Sequence, residues 1–177
     1  MMYKTIKSFD EVNIIENSLI LCDIDETLIR YRDINHNWWN ERKNYWSSEL
    51  INIDMSSIDN MALMDWRSYI KINKPKHTDK DGFKRLYNKI KEYNCDLILV
   101  TARDSSLLEH TKETLNDLDI DFKRIYFTST IPKGEFIKDN INLQNYNKIV
   151  FIDDNLNNIE SVYNEFGKLI ENYRFIM

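Results

Sequence analysis

The chain has 177 residues, of which 42% are hydrophobic and 30% are charged, and its formal net charge is −5. This length suffices for one full hydrophobic core and is too short for two comfortable domains. The acidic balance supplies no overall electrostatic reason to bind nucleic acid, because that binding depends on basic residues that neutralise phosphates. Nucleic acid is therefore a possible but not a favoured partner, since a local basic face could still exist.

The placement of the two cysteines and the lengths of the apolar runs indicate the cellular compartment of the protein. Cys22 lies inside an apolar run and Cys95 lies next to another. This placement favours two core thiols and a reducing compartment over a disulfide framework. The first residues lack the apolar stretch of a signal peptide, and no later run is long enough to span a bilayer. We therefore expect a soluble, intracellular, cytoplasmic protein that has no membrane partner.

The first third of the chain predicts a short helix, a strand and a helical insertion. Ser8 and Glu11 form a capping box, which predicts a short helix that ends near Asn17. The apolar run from Leu19 to Asp23 predicts the first strand. Residues 30–80 are polar and aromatic, and their apolar spacing favours helices around 37–50 and 57–72. We expect this stretch to be a small helical cap or lid inserted into the domain.

The rest of the chain alternates helices with strands. Asp79 or Asp81 is expected to cap a helix that runs to about Tyr93. The later elements are predicted as a strand at 96–101, a helix from 104, a strand at 124–128, a helix from 131–134 to about 140, a strand at 148–154, a helix to 166 and a strand at 169–172. This alternation predicts an α/β fold: a Rossmann-like three-layer sandwich with a mainly parallel central sheet. Residues 1–177 would form one domain.

Residues suited to phosphate chemistry stand at the ends of these predicted strands. Side chains alternate along a strand, so Asp23 and Asp25 would point the same way at the carboxyl edge of the sheet, where α/β proteins bind ligands. Carboxylates gathered there would repel one another, by about 4 kcal/mol for a pair roughly 4 Å apart at an effective dielectric near 20. Mg²⁺ together with a fixed lysine would offset this repulsion. The strand-end residues are Asp23, Asp25, Thr101, Asp153 and Asp154, and Lys133 follows the third strand.

In this order, the set resembles the haloacid dehalogenase superfamily of phosphohydrolases. The matching motifs are Asp-x-Asp-x-Thr at 23–27, a strand ending in Thr at 97–101, a helix-initial Lys at 133 and a strand ending in Asp-Asp at 150–154. Receiver domains use similar residues, but there the adjacent acidic pair comes first and the lysine last. Only about thirty residues separate Thr101 from Lys133, which excludes a large cap there. In this respect the chain looks like the acid-phosphatase-type, small-cap branch.

The resemblance implies a role for each acidic residue. Asp23 would be the nucleophile that forms an aspartyl-phosphate, and Asp25 would be the general acid and then the base. Asp25 would therefore hold a proton at neutral pH while Asp23 is ionised. Mg²⁺ would bind the carboxylates of Asp23 and Asp153 and the backbone carbonyl of Asp25. Asp154 would hold a water on the metal or brace the lysine, and Thr27 would orient the loop around the two catalytic aspartates.

The resemblance also implies how the substrate phosphate would be bound. The Thr101 hydroxyl and the Ala102 amide would hydrogen-bond phosphate oxygens, and Lys133 would offset charge on the transferring phosphoryl group. Arg103 would contact the substrate phosphate or pair with an acidic neighbour, and the sequence leaves these two roles open.

The sequence thus predicts a Mg²⁺-dependent phosphatase that hydrolyses phosphate monoesters, either small molecules or macromolecules, through an aspartyl-phosphate. Two alternatives stay open: a polynucleotide phosphatase, and a non-catalytic phosphate- or protein-binding module on the same fold. The tryptophans of the insertion would form the core of the lid or a platform for the substrate.

Overall fold

The computed structural model describes residues 2–34, 37–50 and 53–177. Within these ranges the strands are β1 (Lys4–Ile6), β2 (Ser18–Cys22), β3 (Ile29–Arg30), β4 (Lys76–His77), β5 (Asp96–Thr101), β6 (Arg124–Phe127), β7 (Lys148–Asp153) and β8 (Ile170–Phe175). The helices are α1 (Trp38–Glu49), α2 (Met55–Ile72), α3 (Lys80–Glu92), α4 (Leu108–Asp117), α5 (Lys133–Asn140) and α6 (Leu156–Phe166). In the described part of the chain, none of these helices combines the length and apolar character needed to cross a membrane.

Six of the strands form one parallel sheet in the order β1-β8-β7-β2-β5-β6. β2 lies between β7 and β5, with Leu21 opposite Phe151 on one side and Ile98 on the other. Parallel pairing places the carboxyl ends of all six strands at one edge of the sheet. The prediction of a Rossmann-like α/β fold is confirmed.

Hydrophobic side chains cover both faces of the sheet. On one face, Leu21, Val100 and Phe151 pack with Ile137 of α5 and Ile159 of α6 in a single buried cluster. Elsewhere in the core, the ring of Phe9 stacks on Phe175 of β8 at a centroid distance of 4.9 Å. It also meets Phe83 of α3 edge-on at 5.6 Å. Helices therefore pack on the sheet as the alternation of apolar segments requires.

The chain divides into two compact units, Met1–Ile29 with His77–Met177 and Arg30–Lys76. In the second unit, α1 and α2 are joined through Asp65, which accepts hydrogen bonds from Arg42 (2.9 Å) and from the Trp46 indole (2.8 Å). Trp66 of the same unit is buried. The helices predicted around 37–50 and 57–72 correspond to α1 and α2, whereas residues 35, 36, 51 and 52 of the predicted insertion lie outside the described residues.

Two local predictions differ from the structure, and one strand was not predicted. The capping box of Ser8 and Glu11 is present, but it caps a 3-10 helix of only Phe9–Glu11, and the chain is already extended at Val12. Val12 is buried in this extended conformation. The last strand extends to Phe175, and β1 was not predicted. The missed strand β1 and the longer β8 both result from the pairing of β1 with β8. This pairing joins residues near the two ends of the chain, so neighbouring residues in the sequence carry no signal of it.

Gly134 allows α5 to approach α6 closely. Its amide donates to the Ser161 hydroxyl at 2.9 Å, and an added Cβ would lie 2.2 Å from the Ser161 carbonyl oxygen. We expect Gly134→Ala to lower the free energy of unfolding by about 1–3 kcal/mol, because backbone must shift to admit the methyl group. Urea denaturation measures the loss, and Asp139→Ala, at an exposed position of α5, is the control. Equal stability of the two variants would contradict the close approach.

Candidate active site

The carboxyl edge of the sheet brings the predicted site residues together. Asp23 directly follows β2, Thr101 ends β5 and Asp153 ends β7, while Lys133 begins α5. β2 pairs with both β5 and β7, so three polar strand ends are adjacent at this edge. The long side chain of Lys133 reaches this cluster from the first residue of α5.

Lys133 forms a buried bridge between two carboxylates. Its ammonium donates to Asp23 Oδ1 at 2.5 Å and to Asp153 Oδ2 at 2.7 Å, and its side chain is only 1% exposed. Burial acts to lower the pKa of Lys133, but the carboxylates of Asp153 and Asp23 outweigh it and raise the pKa above the usual value. The lysine is therefore a fixed positive charge at the centre of the cluster.

The protonation of Asp23 depends on the balance of its neighbours. Burial raises the pKa of the Asp23 carboxyl well above its usual value, Lys133 opposes this rise, and Asp153 and Asp154 add to it. A further cation beside these carboxylates would favour the ionised form of Asp23. A second positive charge beside the lysine would therefore stabilise the carboxylates of this cluster.

Three carboxylates in the described part of the chain form a group of the kind that holds a metal ion. Asp23, Asp153 and Asp154 each offer one oxygen, and these oxygens lie within 4.8 Å of one another. Carboxylate oxygens are ligands that Mg²⁺ prefers, so the donor set fits this ion. The predicted metal residues Asp23 and Asp153 belong to the group. The carboxylate of Asp25 does not, and the sequence had predicted only its backbone carbonyl as a ligand.

The carboxylate of Asp25 is held by Arg103. The guanidinium donates from Nε to Asp25 Oδ2 and from Nη2 to Asp25 Oδ1, both at 2.8 Å, and from Nη1 to the Thr111 hydroxyl at 2.9 Å. The side chain of Arg103 is 0% exposed. Of the two roles that the sequence left open, these contacts correspond to pairing with an acidic neighbour. A buried guanidinium requires a charged, hydrogen-bonded partner, which Asp25 supplies. A contact between Arg103 and the substrate phosphate stays a prediction.

Thr27 joins the loop after β2 to the loop after β7. Its hydroxyl accepts a hydrogen bond from the Asp154 amide at 3.0 Å and donates to Asp154 Oδ1 at 3.3 Å. Within the first loop, Glu26 has a φ of 60°, a left-handed conformation that is unusual for a residue other than glycine. Such strained positions concentrate at functional sites. The Thr27 hydroxyl therefore links the Asp-x-Asp-x-Thr segment to the Asp-Asp segment through both the amide and the carboxylate of Asp154.

The predicted phosphate-binding segment follows β5. Thr101 is buried, and its hydroxyl accepts a hydrogen bond from the Arg103 amide at 3.1 Å. Ala102 is exposed in the turn between them. The structure thus places Thr101 and Ala102 at the same sheet edge as Asp23 and Lys133.

Sequence reasoning missed two polar contacts that brace the site. The Asn158 side chain donates to both oxygens of Asp153 at 3.1 Å. Asn158 lies in the first half of α6, and no motif singles it out. Thr111 shares a face of α4 with the buried Leu115, an arrangement typical of a core residue. A polar residue on an apolar face was the available signal for its contact with Arg103.

The fold is similar to several solved structures. A HAD-superfamily hydrolase from Ehrlichia chaffeensis matches with a TM-score of 0.50 and 18% identity, over 92% of this chain and 94% of its own. A protein named as a beta-phosphoglucomutase from Thermotoga maritima matches with a TM-score of 0.50 and 14% identity, over 86% of this chain and 83% of its own. A chain of the Pnkp1/Rnl/Hen1 complex matches with a TM-score of 0.54 and 13% identity, over 93% of this chain and 49% of its own. At these identities the likeness shows a shared fold.

The sequence comparisons identify a family. No curated protein matches the sequence significantly. The family described as "Protein of unknown function (DUF2608)" matches residues 4–126 and 123–175. Together these ranges take in nearly the whole chain, including every predicted site residue. This protein therefore belongs to the DUF2608 family.

Proposed function

We propose that this protein is a Mg²⁺-dependent phosphatase that hydrolyses phosphate monoesters through an aspartyl-phosphate. The observation that carries this proposal is the buried bridge of Lys133 between Asp23 and Asp153, beside Asp154 at the carboxyl edge of a parallel sheet. This edge is where α/β folds bind ligands. The fold shared with a HAD-superfamily hydrolase supports the same reaction class.

In the first step, the Asp23 carboxylate attacks phosphorus in line, and the bond from phosphorus to the leaving oxygen breaks. The leaving oxygen takes a proton from Asp25. In the second step, water attacks the aspartyl-phosphate, Asp25 takes a proton from that water, and inorganic phosphate leaves with Asp23 restored. Splitting one displacement into two is the general advantage of covalent catalysis.

Positive charge and hydrogen-bond donors would bind the transferring phosphoryl group. Lys133 is already charged and held in place, so it offsets the developing negative charge without reorganisation. Thr101 and the Ala102 amide would donate to phosphate oxygens. Asp23 and Asp153, together with the Asp25 backbone carbonyl, would hold Mg²⁺, and Asp154 of the same carboxylate group would bind the ion directly or through a water. The bound ion would neutralise charge on the carboxylates and on the phosphoryl group.

Arg103 has a positioning role in this proposal. Its two hydrogen bonds to Asp25 fix the direction of that carboxylate, and Thr111 fixes the guanidinium in turn. A general acid and base must stand within hydrogen-bond reach of the leaving oxygen and the attacking water. When Asp25 carries the proton of the first step, its hydroxyl oxygen is a poor acceptor, and Arg103 then holds the side chain through the hydrogen bond to the other oxygen.

The unit Arg30–Lys76 is assigned the role of a small cap, as in the acid-phosphatase-type branch. It is inserted into the sequence between the two short strands β3 and β4, and its helices are held together by Asp65.

Both cysteines of the chain are free thiols, which supports a reducing, cytoplasmic location.

A polynucleotide phosphatase is the second candidate. It is favoured by the fold shared with a chain of the Pnkp1/Rnl/Hen1 complex, which is described as an RNA repair complex. The net charge of −5 disfavours it, because binding to nucleic acid depends strongly on basic residues.

A phosphoester panel with and without Mg²⁺ tests the proposal. We expect the purified protein to hydrolyse para-nitrophenyl phosphate in Mg²⁺, to lose this activity in EDTA and to regain it when Mg²⁺ is restored. The physical reason is that three carboxylates lie close together and one lysine bridges only two of them. Metal binding without hydrolysis of any ester would instead favour a non-catalytic binding module. Preferential release of phosphate from oligonucleotide ends would favour the second candidate.

A further inference from the structure

A polar cleft lies beside the candidate active site and is not used by the mechanism. Its volume is about 560 Å³, within the range of small-molecule sites. Ala102 and Asn158 form part of its wall. Ala102 belongs to the predicted phosphate-binding turn, and Asn158 donates to Asp153. Two residues of the cleft wall therefore also belong to the surroundings of the site.

Thr128 provides an independent indication of a ligand. It follows β6 and lines the cleft, it is 1% exposed, and its hydroxyl has no hydrogen-bond partner. Buried hydroxyls nearly always have a partner, because an unmade hydrogen bond costs free energy. The next residue, Ser129, has a φ of 52°, a second left-handed residue in a loop at this edge. A hydroxyl without a partner in the wall of a cleft is a position where a ligand hydroxyl or an ordered water would supply the missing hydrogen bond.

The charge of the wall restricts what the cleft would bind. Among the described residues that line it there is no lysine or arginine, whereas three glutamates are present. One of them, Glu165, is paired with Lys138 at 2.8 Å, and Glu160 and Glu135 are exposed. Asparagine, serine and threonine side chains form much of the remaining wall. Such a surface suits hydroxyl groups and opposes a second anionic group.

We propose that this cleft binds the leaving group of the substrate, and that this group is an uncharged, hydroxyl-bearing moiety, as in a monosaccharide monophosphate. This inference rests on the proposed phosphatase function and deepens it. The phosphoryl group occupies the carboxylate and lysine site, and the hydroxylated part reaches across Ala102 to the Thr128 hydroxyl. Bisphosphates and polynucleotide ends are disfavoured, because their further phosphates meet the glutamates.

The first test compares substrates that do and do not reach the cleft. In Mg²⁺, Thr128→Val removes the hydroxyl with little change of shape, and we expect it to raise KM for glucose 6-phosphate by about 3- to 10-fold. The same variant leaves para-nitrophenyl phosphate, which lacks hydroxyl groups, within about 2-fold. An equal effect on both substrates, or no effect on either, would overturn the proposal.

The second test reverses one charge of the wall. Glu160→Lys is expected to raise kcat/KM for fructose 1,6-bisphosphate, relative to glucose 6-phosphate, by about 5-fold or more. The matched control is Glu113→Lys, which makes the same charge change at an exposed position of α4 outside the cleft. An identical ratio in the two variants would show that the glutamates of the cleft do not select the substrate.

A binding measurement separates failure of this inference from failure of the proposed function. Calorimetric titration with glucose 6-sulfate, an unreactive analogue, needs no turnover. Binding that weakens about 3- to 10-fold in Thr128→Val supports the cleft even if no phosphate ester is hydrolysed. If the protein hydrolyses para-nitrophenyl phosphate but the wild type and Thr128→Val bind glucose 6-sulfate equally well, the phosphatase proposal is retained and the proposed role of the cleft is overturned.

Discussion

Asp23→Asn is expected to reduce turnover of para-nitrophenyl phosphate by at least about 1,000-fold, because the amide lacks the nucleophilic oxygen that forms the aspartyl-phosphate. The fold should persist, since Asp153 still accepts from Lys133 at 2.7 Å and the amide keeps the shape of the buried side chain. Steady-state kinetics measure the loss, and thermal unfolding of the same sample reports the fold.

Asp96→Asn is the matched control for this variant. Asp96 begins β5 at the opposite edge of the same sheet, where it accepts hydrogen bonds from Lys123 and Tyr146 at 2.6 Å each. Asp96→Asn makes the same chemical change at the end of β5 that lies away from Thr101. Its activity should stay within about 2-fold of the wild type, because substitutions away from the site have small effects. Full activity in Asp23→Asn, or equal losses in both variants, would contradict the role of Asp23 as nucleophile.

Lys133→Met is expected to have the largest effect on stability. Methionine fills a similar volume but leaves the carboxylates of Asp23 and Asp153 buried without their cation. Removing one partner of a buried ion pair costs about 3–5 kcal/mol of unfolding free energy. Activity should fall as well, because the variant lacks the charge that faces the phosphoryl group. Urea denaturation in EDTA measures the stability.

Mg²⁺ should restore part of the stability of Lys133→Met. A divalent cation held by Asp23, Asp153 and Asp154 replaces the missing positive charge, and its binding to the native state raises the free energy of unfolding. Lys138→Met is the control, because this lysine lies on the same helix but its ion pair with Glu165 is largely exposed. Its stability should be unchanged and independent of Mg²⁺. A Lys133→Met protein as stable as the control, with no response to Mg²⁺, would contradict the buried bridge.

The elements that surround the site were predictable because their signals are local. Apolar runs that stop at Asp23, Thr101 and Asp153 predicted three strand ends, and the structure has each of them within one residue. Asp79 caps α3 by accepting from the Gly82 amide, one of the two caps expected there. Such signals depend on alternation and on caps within a few residues, so they can be recognised without knowledge of the tertiary contacts.

Contacts between distant parts of the chain were not predictable in the same way. Arg103 follows Thr101 directly, and its position in sequence fits a contact with phosphate as well as a contact with Asp25. Its two hydrogen bonds to Asp25 span 78 residues. β1 has no periodic pattern in its three residues, and it exists because β8 offers a free edge.

Local sequence patterns are enough to predict the α/β class, the strand ends and the set of acidic, hydroxyl and lysine residues that meet there, because the carboxyl ends of parallel strands necessarily share one edge. The pairing of these residues depends on the three-dimensional packing. Burial forces each charge to find a partner, so Lys133 bridges two aspartates and Arg103 holds Asp25. The unsatisfied hydroxyl of Thr128 likewise became visible only once the packing around β6 was known.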